Sequence, residues 1–468
     1  MKKFILSLAA IASTLTMMAE GYQVNTLSVK QEGMAHTGVS LKLGAESMMF
    51  NPAGMAFMNQ TADFSASVSG IISEASVVLP DGQKYTPDNA ISTPLQVSAA
   101  FSILDNLKAG ITFNTPYGSG INWTNDWPGS MLSQSVKLQV YNLQPTLAYK
   151  ILPNLSVGAG LMIAWGNFDL SKGLVDPATL DKVLASQNIP YSFGNTAPAS
   201  INLSGSAEVA FGYNVGILWD ITNQISIGAN YRSKMDMKVA AGNAKVVFAN
   251  EIAQNALSSV AALDGAQFKA QLPAVSVLSV GISYKPIEKL TLAFDAQMSG
   301  WSAYDKLDID FAGTDAFDQS LTKNYSDSWA YRLGAEYNLN NSIDIRAGFI
   351  VDTTPVDENY YNPETPGMTR LQPTLGLSYR PIKNLSIDVA FNYVTGISRE
   401  GANTYDDLVA KQAYATAYQT AMGQGASAEM AANVAQQTAA ALGGLQKTFT
   451  GKYSINAFIP AIGVSYSF

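Results

Sequence analysis

One short turn recurs six times in this chain and limits its fold more than any other feature. It reads Phe101-Ser-Ile-Leu-Asp-Asn-Leu107, Tyr149-Lys-Ile-Leu-Pro-Asn-Leu155, Trp219-Asp-Ile-Thr-Asn-Gln-Ile225, Tyr284-Lys-Pro-Ile-Glu-Lys-Leu290, Tyr337-Asn-Leu-Asn-Asn-Ser-Ile343 and Tyr379-Arg-Pro-Ile-Lys-Asn-Leu385. Each time an aromatic residue closes one alternating run, and a Leu or Ile six positions later opens the next. Aromatic rings favour the boundary between hydrocarbon and water, because one end is apolar and the other tolerates headgroups. Six such anchors beside six tight turns put all six turns at one face of a membrane.

The runs that flank the turns have period two. Tyr141, Leu143, Pro145 and Leu147 alternate with Asn142, Gln144, Thr146 and Ala148. Val157, Ala159, Leu161, Ile163 and Trp165 alternate with Ser156, Gly158, Gly160 and Ala164, and Leu385–Tyr393 follows the same rule. Successive side chains on a strand point to opposite faces. The non-aromatic face is made of residues too small to fill a core, so the apolar face is the one that meets lipid.

Six hairpins supply twelve strands. Thr61–Gly70 and Ser454–Phe468 add one at each end, for an all-β, 14-stranded antiparallel transmembrane β-barrel, an even count as bacterial barrels require. The other connections are long, at about 71–93, 116–135, 167–202, 233–275, 302–326, 353–368 and 397–453. Short periplasmic turns and long extracellular loops have this asymmetry. The last strand alternates Phe458, Ile462, Val464, Tyr466 and Phe468 with Ala461, Gly463, Ser465 and Ser467, and the chain stops on an aromatic residue. Such an ending resembles the signal read by the barrel assembly machinery of the outer membrane.

Composition agrees. Only 14% of the 468 residues are charged, against about 25% in a typical globular protein. Residues 1–19 place Lys2 and Lys3 before an apolar run and end at Ala19, as a cleaved export signal does. That run is too short to be a membrane anchor, and no other segment has the roughly 18 apolar residues of a membrane helix. Without Lys2 and Lys3 the net charge of −8 becomes −10, which argues against nucleic acid as a partner. There is no cysteine and a single histidine, His36, with no nucleophile motif beside it, so the chain is not read as an enzyme. No cofactor motif or metal-spaced cluster is present.

Residues 20–60 do not alternate. They carry Gly21-Tyr22-Gln23-Val24-Asn25, Gly33–Gly38 and Asn51-Pro52-Ala53. Ahead of a barrel such a segment can fold into the lumen as a plug; the competing reading is a disordered periplasmic tail. This order of features, with Asn114-Thr-Pro-Tyr-Gly118 after the third strand, resembles the FadL/TodX family of outer-membrane channels for long-chain fatty acids and other hydrophobic compounds. The resemblance spans essentially the whole mature chain.

It implies an N-terminal hatch over 20–60 and a barrel over 61–468. Tyr22 and Val24 would line an inner ligand pocket, and Asn51, Pro52 and Ala53 would seat the hatch on the wall. Cargo caught by the extracellular loops would reach that pocket and leave sideways at a kinked third strand, here Leu107–Thr115. Gly110 and the Pro116, Tyr117 and Gly118 edge would permit the kink. The expected setting is the outer membrane of a Gram-negative bacterium, as a monomer among lipid and lipopolysaccharide.

Helical signals punctuate three outer loops. Asp176-Pro177 caps one, with Leu180, Val183 and Leu184 as its stripe. A second spans about Asn250–Leu263. A third, about Tyr405–Leu445, breaks at Gly423-Gln-Gly425, with Tyr414, Tyr418 and Met422 on one side, and departs from the family pattern. It reads as a lid over the barrel mouth or as a docking surface. The alternation also turns charges inward: Arg332, Glu336, Asp344 and Arg346, with Arg232, Lys108, Asp295 and Asp388. Arg232 and Arg332 are candidates for a ligand carboxylate, against a purely structural ion network. Two other functions compete with passive uptake of hydrophobic molecules: a general diffusion porin, and a surface shuttle for secreted proteins.

Overall fold

The structure is a computed structural model that describes residues 21–313 and 317–468. The export signal expected at 1–19 lies outside the described residues. Fourteen strands form a closed antiparallel ring. In chain order they are β1 Ala62–Ser69, β2 Leu95–Leu104, β3 Leu107–Asn122, β4 Ser135–Leu152, β5 Leu155–Gly173, β6 Ala199–Asp220 and β7 Ile225–Arg232. They continue as β8 Val277–Ile287, β9 Leu290–Ser299, β10 Ser328–Asn340, β11 Ile343–Asp352, β12 Arg370–Ile382, β13 Leu385–Gly396 and β14 Gln446–Ser467. Each pairs with the next, and β14 returns to β1 through Asp63↔Ser467 to Ser69↔Ala461.

Register explains why the six turns share a six-residue spacing. The Leu or Ile that opens one strand sits directly across from the aromatic residue that closes the next hairpin's first strand. Leu107 faces Tyr149, Leu155 faces Trp219, and Ile225 faces Tyr284. Leu290 faces Tyr337, Ile343 faces Tyr379, and Tyr466 of β14 faces Leu385. Cross-strand neighbours of this kind touch, so the result is a belt of aromatic–aliphatic pairs round the turn end of the ring. Phe101, Tyr149, Trp219, Tyr284 and Tyr379 are exposed on the outer wall, and Tyr337 is half-buried.

The alternation holds along the turn half of β4 and β13. Asn142, Gln144, Thr146 and Ala148 are buried while Pro145 and Leu147 are exposed; Ser386, Asp388, Ala390 and Asn392 are buried while Ile387, Val389 and Phe391 are exposed. Toward the loops the chemistry of the two faces inverts, so that the inward positions carry the apolar side chains. On β14, Phe449, Tyr453, Ile455 and Ile459 are buried and Thr448, Thr450 and Lys452 are exposed, whereas Ile462 and Val464 further down face out. On β4, Val136, Leu138 and Val140 turn inward above the outward Leu147, and on β6 Ile201 and Leu203 turn inward above the outward Phe211. Apolar side chains follow whichever side is dry: the outside where lipid lies, the inside where water lies. The inversion therefore divides the barrel into a lipid-facing turn half and a loop half packed like a soluble protein.

The sheet also extends into connections expected to be loops. Met235–Phe248 pairs with Gln267–Ala274, Lys306–Phe311 with Gln319–Thr322, and Arg399–Asp406 with the upper part of β14. The helical insertion, expected over about 405–445, is correspondingly shorter. It is a hairpin of two helices, Leu408–Gly423 and Ala428–Leu442, on that two-stranded stalk. Strand β3 likewise does not stop at Thr115 but continues to Asn122.

Candidate ligand path through the barrel

Residues 21–58 run inside the ring. The glycines of the wall explain how they fit. A Cβ on Gly216 would lie 2.1 Å from Asn51 Oδ1, one on Gly228 2.1 Å from the Val39 carbonyl oxygen, and one on Gly158 2.4 Å from the Pro52 carbonyl carbon. On the opposite wall, Gly334 and Gly376 would strike Met34 and Gly33 in the same way. These glycines are a footprint: only a bare backbone leaves room for the segment to lie flat on the sheet. They share strands with ordinary alternation, and inward Gly within a strand is the sequence signal that could have located the contact.

Asn51 is the best-connected residue of the segment. Its Nδ2 donates to the carbonyls of Val39 (2.7 Å) and Ile217 (2.9 Å), while its Oδ1 accepts from Ala53 N–H (3.1 Å) and so caps the turn Pro52–Phe57. Ser156 Oγ donates to the Ala53 carbonyl at 2.9 Å. Asn51, Pro52 and Ala53 thus all lie against β5 and β6.

The inward charges divide between two uses. Arg346 Nε meets Glu336 at 2.6 Å and Arg380 holds Asp344 with both terminal nitrogens, which joins β10, β11 and β12. Asp295 Oδ2 instead accepts from Gly38 and Val39 N–H at 2.7 and 3.1 Å, holding the inner segment. Arg232 Nη2 donates to the Met49 carbonyl at 2.8 Å, and Arg332 Nη1 to Gln297 Oε1 at 2.9 Å. Both arginines are buried and bonded to protein partners.

Above the segment the loop half packs an apolar core. Tyr22 stands at its foot, with ring centroids 4.8 Å from Trp301, 5.9 Å from Tyr304 and 6.2 Å from Tyr117. Its hydroxyl donates to the Pro273 carbonyl at 2.5 Å. Gly21 has φ +58°, and a Cβ there would meet the Trp301 ring, so Gly21 is what lets Tyr22 pack edge-on. Trp123 and Trp127 stack at 4.5 Å higher up, with Phe449 against Trp127. The sequence reading singled out Tyr22 but neither these tryptophans nor Trp301 and Tyr304, which lie in loops where no alternation marks an inward side.

Strand β3 breaks its register beside Tyr22. Asn114 pairs with Asn142, but Tyr117 pairs with Val140, so β3 has one extra residue at Thr115–Pro116. Pro116 has no N–H to give the ladder, which favours a bulge there. On the other edge, the β2–β3 ladder ends at Gln96↔Asn114, where Leu95 N–H reaches Thr115 Oγ1. The chain before β2 then turns to β1, with Ser69 N–H on the Pro94 carbonyl and Ile71 paired with Ser92. The edge of β3 that β2 leaves is taken by residues 22–24. Val24 N–H donates to the Pro116 carbonyl and Gly118 N–H to the Tyr22 carbonyl, both at 2.8 Å, with Gln23 opposite Tyr117. Tyr22, Val24, Pro116, Tyr117 and Gly118 are therefore brought together, while Gly110 lies lower in a regular ladder under Met48.

Over the mouth, the helices Pro177–Ser186 and Leu408–Gly423 are tied at their N-termini. Asp176 caps the first through Thr179 N–H, and Asp407 caps the second through Ala410 N–H. Lys447 Nζ bridges both carboxylates, at 2.5 Å to Asp176 and 3.2 Å to Asp407. Burial alone raises the Asp176 pKa, but its hydrogen bond and charge contact with Lys447 outweigh this and hold it below the usual range. The Tyr414 and Tyr418 rings stack along one side of the hairpin, and the two helices meet through a seam of alanines.

Residues 9–468 match the model of a family described as "Outer membrane protein transport protein (OMPP1/FadL/TodX)". Outer membrane protein P1 of Haemophilus influenzae is 24% identical over 431 residues, covering 85% of this chain and 91% of the relative. The long-chain fatty acid transport protein of Escherichia coli K12 is 22% identical over 422 residues, covering 85% and 92%. Among solved structures, a Pseudomonas aeruginosa FadL homologue superposes with a TM-score of 0.74 at 19% identity, covering 96% of this chain and all of that one. The Pseudomonas putida toluene transporter TodX superposes with a TM-score of 0.66 at 15% identity, covering 96% and 99%.

Proposed function

The chain belongs to the outer membrane protein transport family (OMPP1/FadL/TodX), and we propose that it is a passive channel for long-chain fatty acids or other hydrophobic molecules. Cargo enters among the loop helices, moves down between the inward apolar side chains of the loop half to Tyr22, and leaves sideways through the wall between β2 and β3. Residues 21–60 act as a hatch that keeps the turn half shut to water and ions. Carrying this reading is the window beside β3, where a three-residue stretch of the N-terminal segment stands in for a missing stretch of β2. The filled lumen of the turn half favours it over a general diffusion porin. The outward Phe468 at the end of β14 suits recognition by the barrel assembly machinery.

The window can be locked to test this. Gln23 and Tyr117 form a non-hydrogen-bonded antiparallel pair, the kind in which Cα atoms come within about 4.5 Å, within the range a disulfide spans. The chain has no cysteine of its own, so Gln23→Cys with Tyr117→Cys gives one defined bridge. Cells carrying the oxidised variant should stop taking up palmitic acid and should recover on reduction. Uptake unaffected by oxidation rules out this exit.

A further inference from the structure

Two apolar recesses indent the lipid-facing wall. One, of about 330 Å³, is floored by Ala66 and Ala99 and walled by Phe64, Val97, Ile111 and Phe113 on β1 to β3. The other, of about 530 Å³, lies across the barrel between Trp219, Ala229, Val280 and Phe294 on β6 to β9. Both are apolar and both face the bilayer, but only the first adjoins the window. Val97 and Phe113 face each other one step below Gln96 and Asn114, the pair at which the β2–β3 ladder ends. Beside it, Phe113, Tyr141 and Trp165 form an outward aromatic shelf with centroids 6.0 to 6.1 Å apart.

We propose that the recess over Ala66 and Ala99 is an external landing site that receives the hydrocarbon part of the cargo as it leaves the window, before it mixes with membrane lipid. This deepens the lateral-exit reading and rests on it. The occupant follows from position. In a bilayer the hydrophobic effect gives no preference for one hydrocarbon over another, because lipid tails are as apolar as the recess. A lipid-facing notch can therefore favour cargo only by being where cargo is delivered. The floor is small where its neighbours are large: Ala66 lies between Val97 and Val464 in register, and Ala99 between Phe64 and Ile111. That leaves a slot for a slender chain, continuous upward with the aromatic shelf.

The distant recess is a built-in control. Palmitic acid carrying an aliphatic diazirine is added outside cells expressing the full chain, photolysed after short intervals, and mapped by mass spectrometry of the purified barrel. Early labelling should favour the peptides with Ala66 and Ala99 several-fold over those with Ala229 and Val280. The oxidised Gln23→Cys/Tyr117→Cys lock should abolish both that asymmetry and uptake. Ala99→Trp, which fills the slot from the lipid side, should remove the label and slow uptake, with the purified barrel's circular dichroism unchanged. Equal labelling of the two recesses, with uptake still sensitive to the lock, means ordinary membrane lipid occupies both and overturns the landing site alone. Uptake insensitive to the lock overturns the lateral exit and the landing site together.

Discussion

The two halves of this barrel solve opposite problems with the same strands. In the turn half the outside is dry, so leucines and aromatics face out, and the lumen is left to small residues and to the N-terminal segment. In the loop half the outside is wet, and Phe449, Tyr453, Ile455, Val136 and Leu138 turn inward to make a core. The turn half is held by close backbone contact and buried polar bonds, where one added carbon collides. The loop half is held by apolar packing that adapts, plus an ionic clamp at the mouth. The first arrangement suits a fixed seal and the second is an apolar core, with Tyr22–Val24 at the boundary.

If that contrast is right, the largest effect of a single substitution should come from the glycine footprint. Gly216→Val drives a side chain into the Pro52 ring and into the Asn51 amide, which its hydrogen bonds to Val39, Ile217 and Ala53 hold in place. Overpacking of this kind costs about 3 kcal/mol. We expect the segment to lift from β5 and β6, seen as a rise in planar-bilayer conductance and new protease cleavage within 21–60. Gly423→Val, at the end of the helix Leu408–Gly423 with open space around it, should leave conductance unchanged. Unaltered conductance in Gly216→Val would mean that the seal does not depend on this contact.

Asn51→Ala should follow at about 2 kcal/mol, since it removes the amide that bonds the Val39 and Ile217 carbonyls and the cap on Ala53 N–H. Its effect should not add to that of Gly216→Val, because both loosen one contact. Full additivity in a double-mutant cycle of unfolding midpoints would separate the two sites.

The turn half was the more legible from residues alone, and lipid is the reason. A hydrocarbon exterior demands apolar side chains at every second position, so Leu147, Leu161 and Phe391 declare their side without knowledge of their neighbours. The loop half alternates equally well, but with Met235, Met237 and Val239 inward beside the exposed Lys238, a pattern that resembles any soluble hairpin. This is why β3 seemed to end before Pro116 and why the connection at 233–275 read as a loop. The segment at 21–60 could be recognised as non-alternating, yet its seat depends on glycines distributed over β5, β6, β7, β10 and β12. Their common neighbour exists only after the ring closes. Arg232 and Arg332 were legible as inward charges, but not their partners, which come from Met49 and Gln297.

A smaller effect is expected in the loop half from Lys447→Met, which leaves Asp176 and Asp407 facing each other without their shared cation. Because Lys447 is partly exposed, we discount the loss to about 1–2 kcal/mol, confined to the mouth. Limited proteolysis within the Leu408–Leu442 hairpin should speed up while planar-bilayer conductance stays low. A conductance change as large as that of Gly216→Val would erase the distinction between the sealed turn half and the loop half.

The smallest expected effect is on pH, and it has its control inside the same mouth. Asp176 caps the helix Pro177–Ser186, whereas the helix Glu251–Ala256 is capped by Asn250, whose side chain accepts from Ala253 N–H and does not titrate. The contact with Lys447 depresses the Asp176 carboxyl in the folded protein. A depressed folded pKa gives stability that is fully present above the unfolded carboxylate value of about 3.9 and is lost as pH falls through the folded one. Hydrogen exchange, corrected for intrinsic rates, should therefore show the amides of 177–186 losing protection below that point while 251–256 keep theirs. Lys447→Met removes the cause of the depression, so in that variant the loss should begin at higher pH. If both helices open together, acid acts on the whole mouth and the clamp at Asp176 is not what titrates. If the variant shifts nothing, the depression does not come from Lys447.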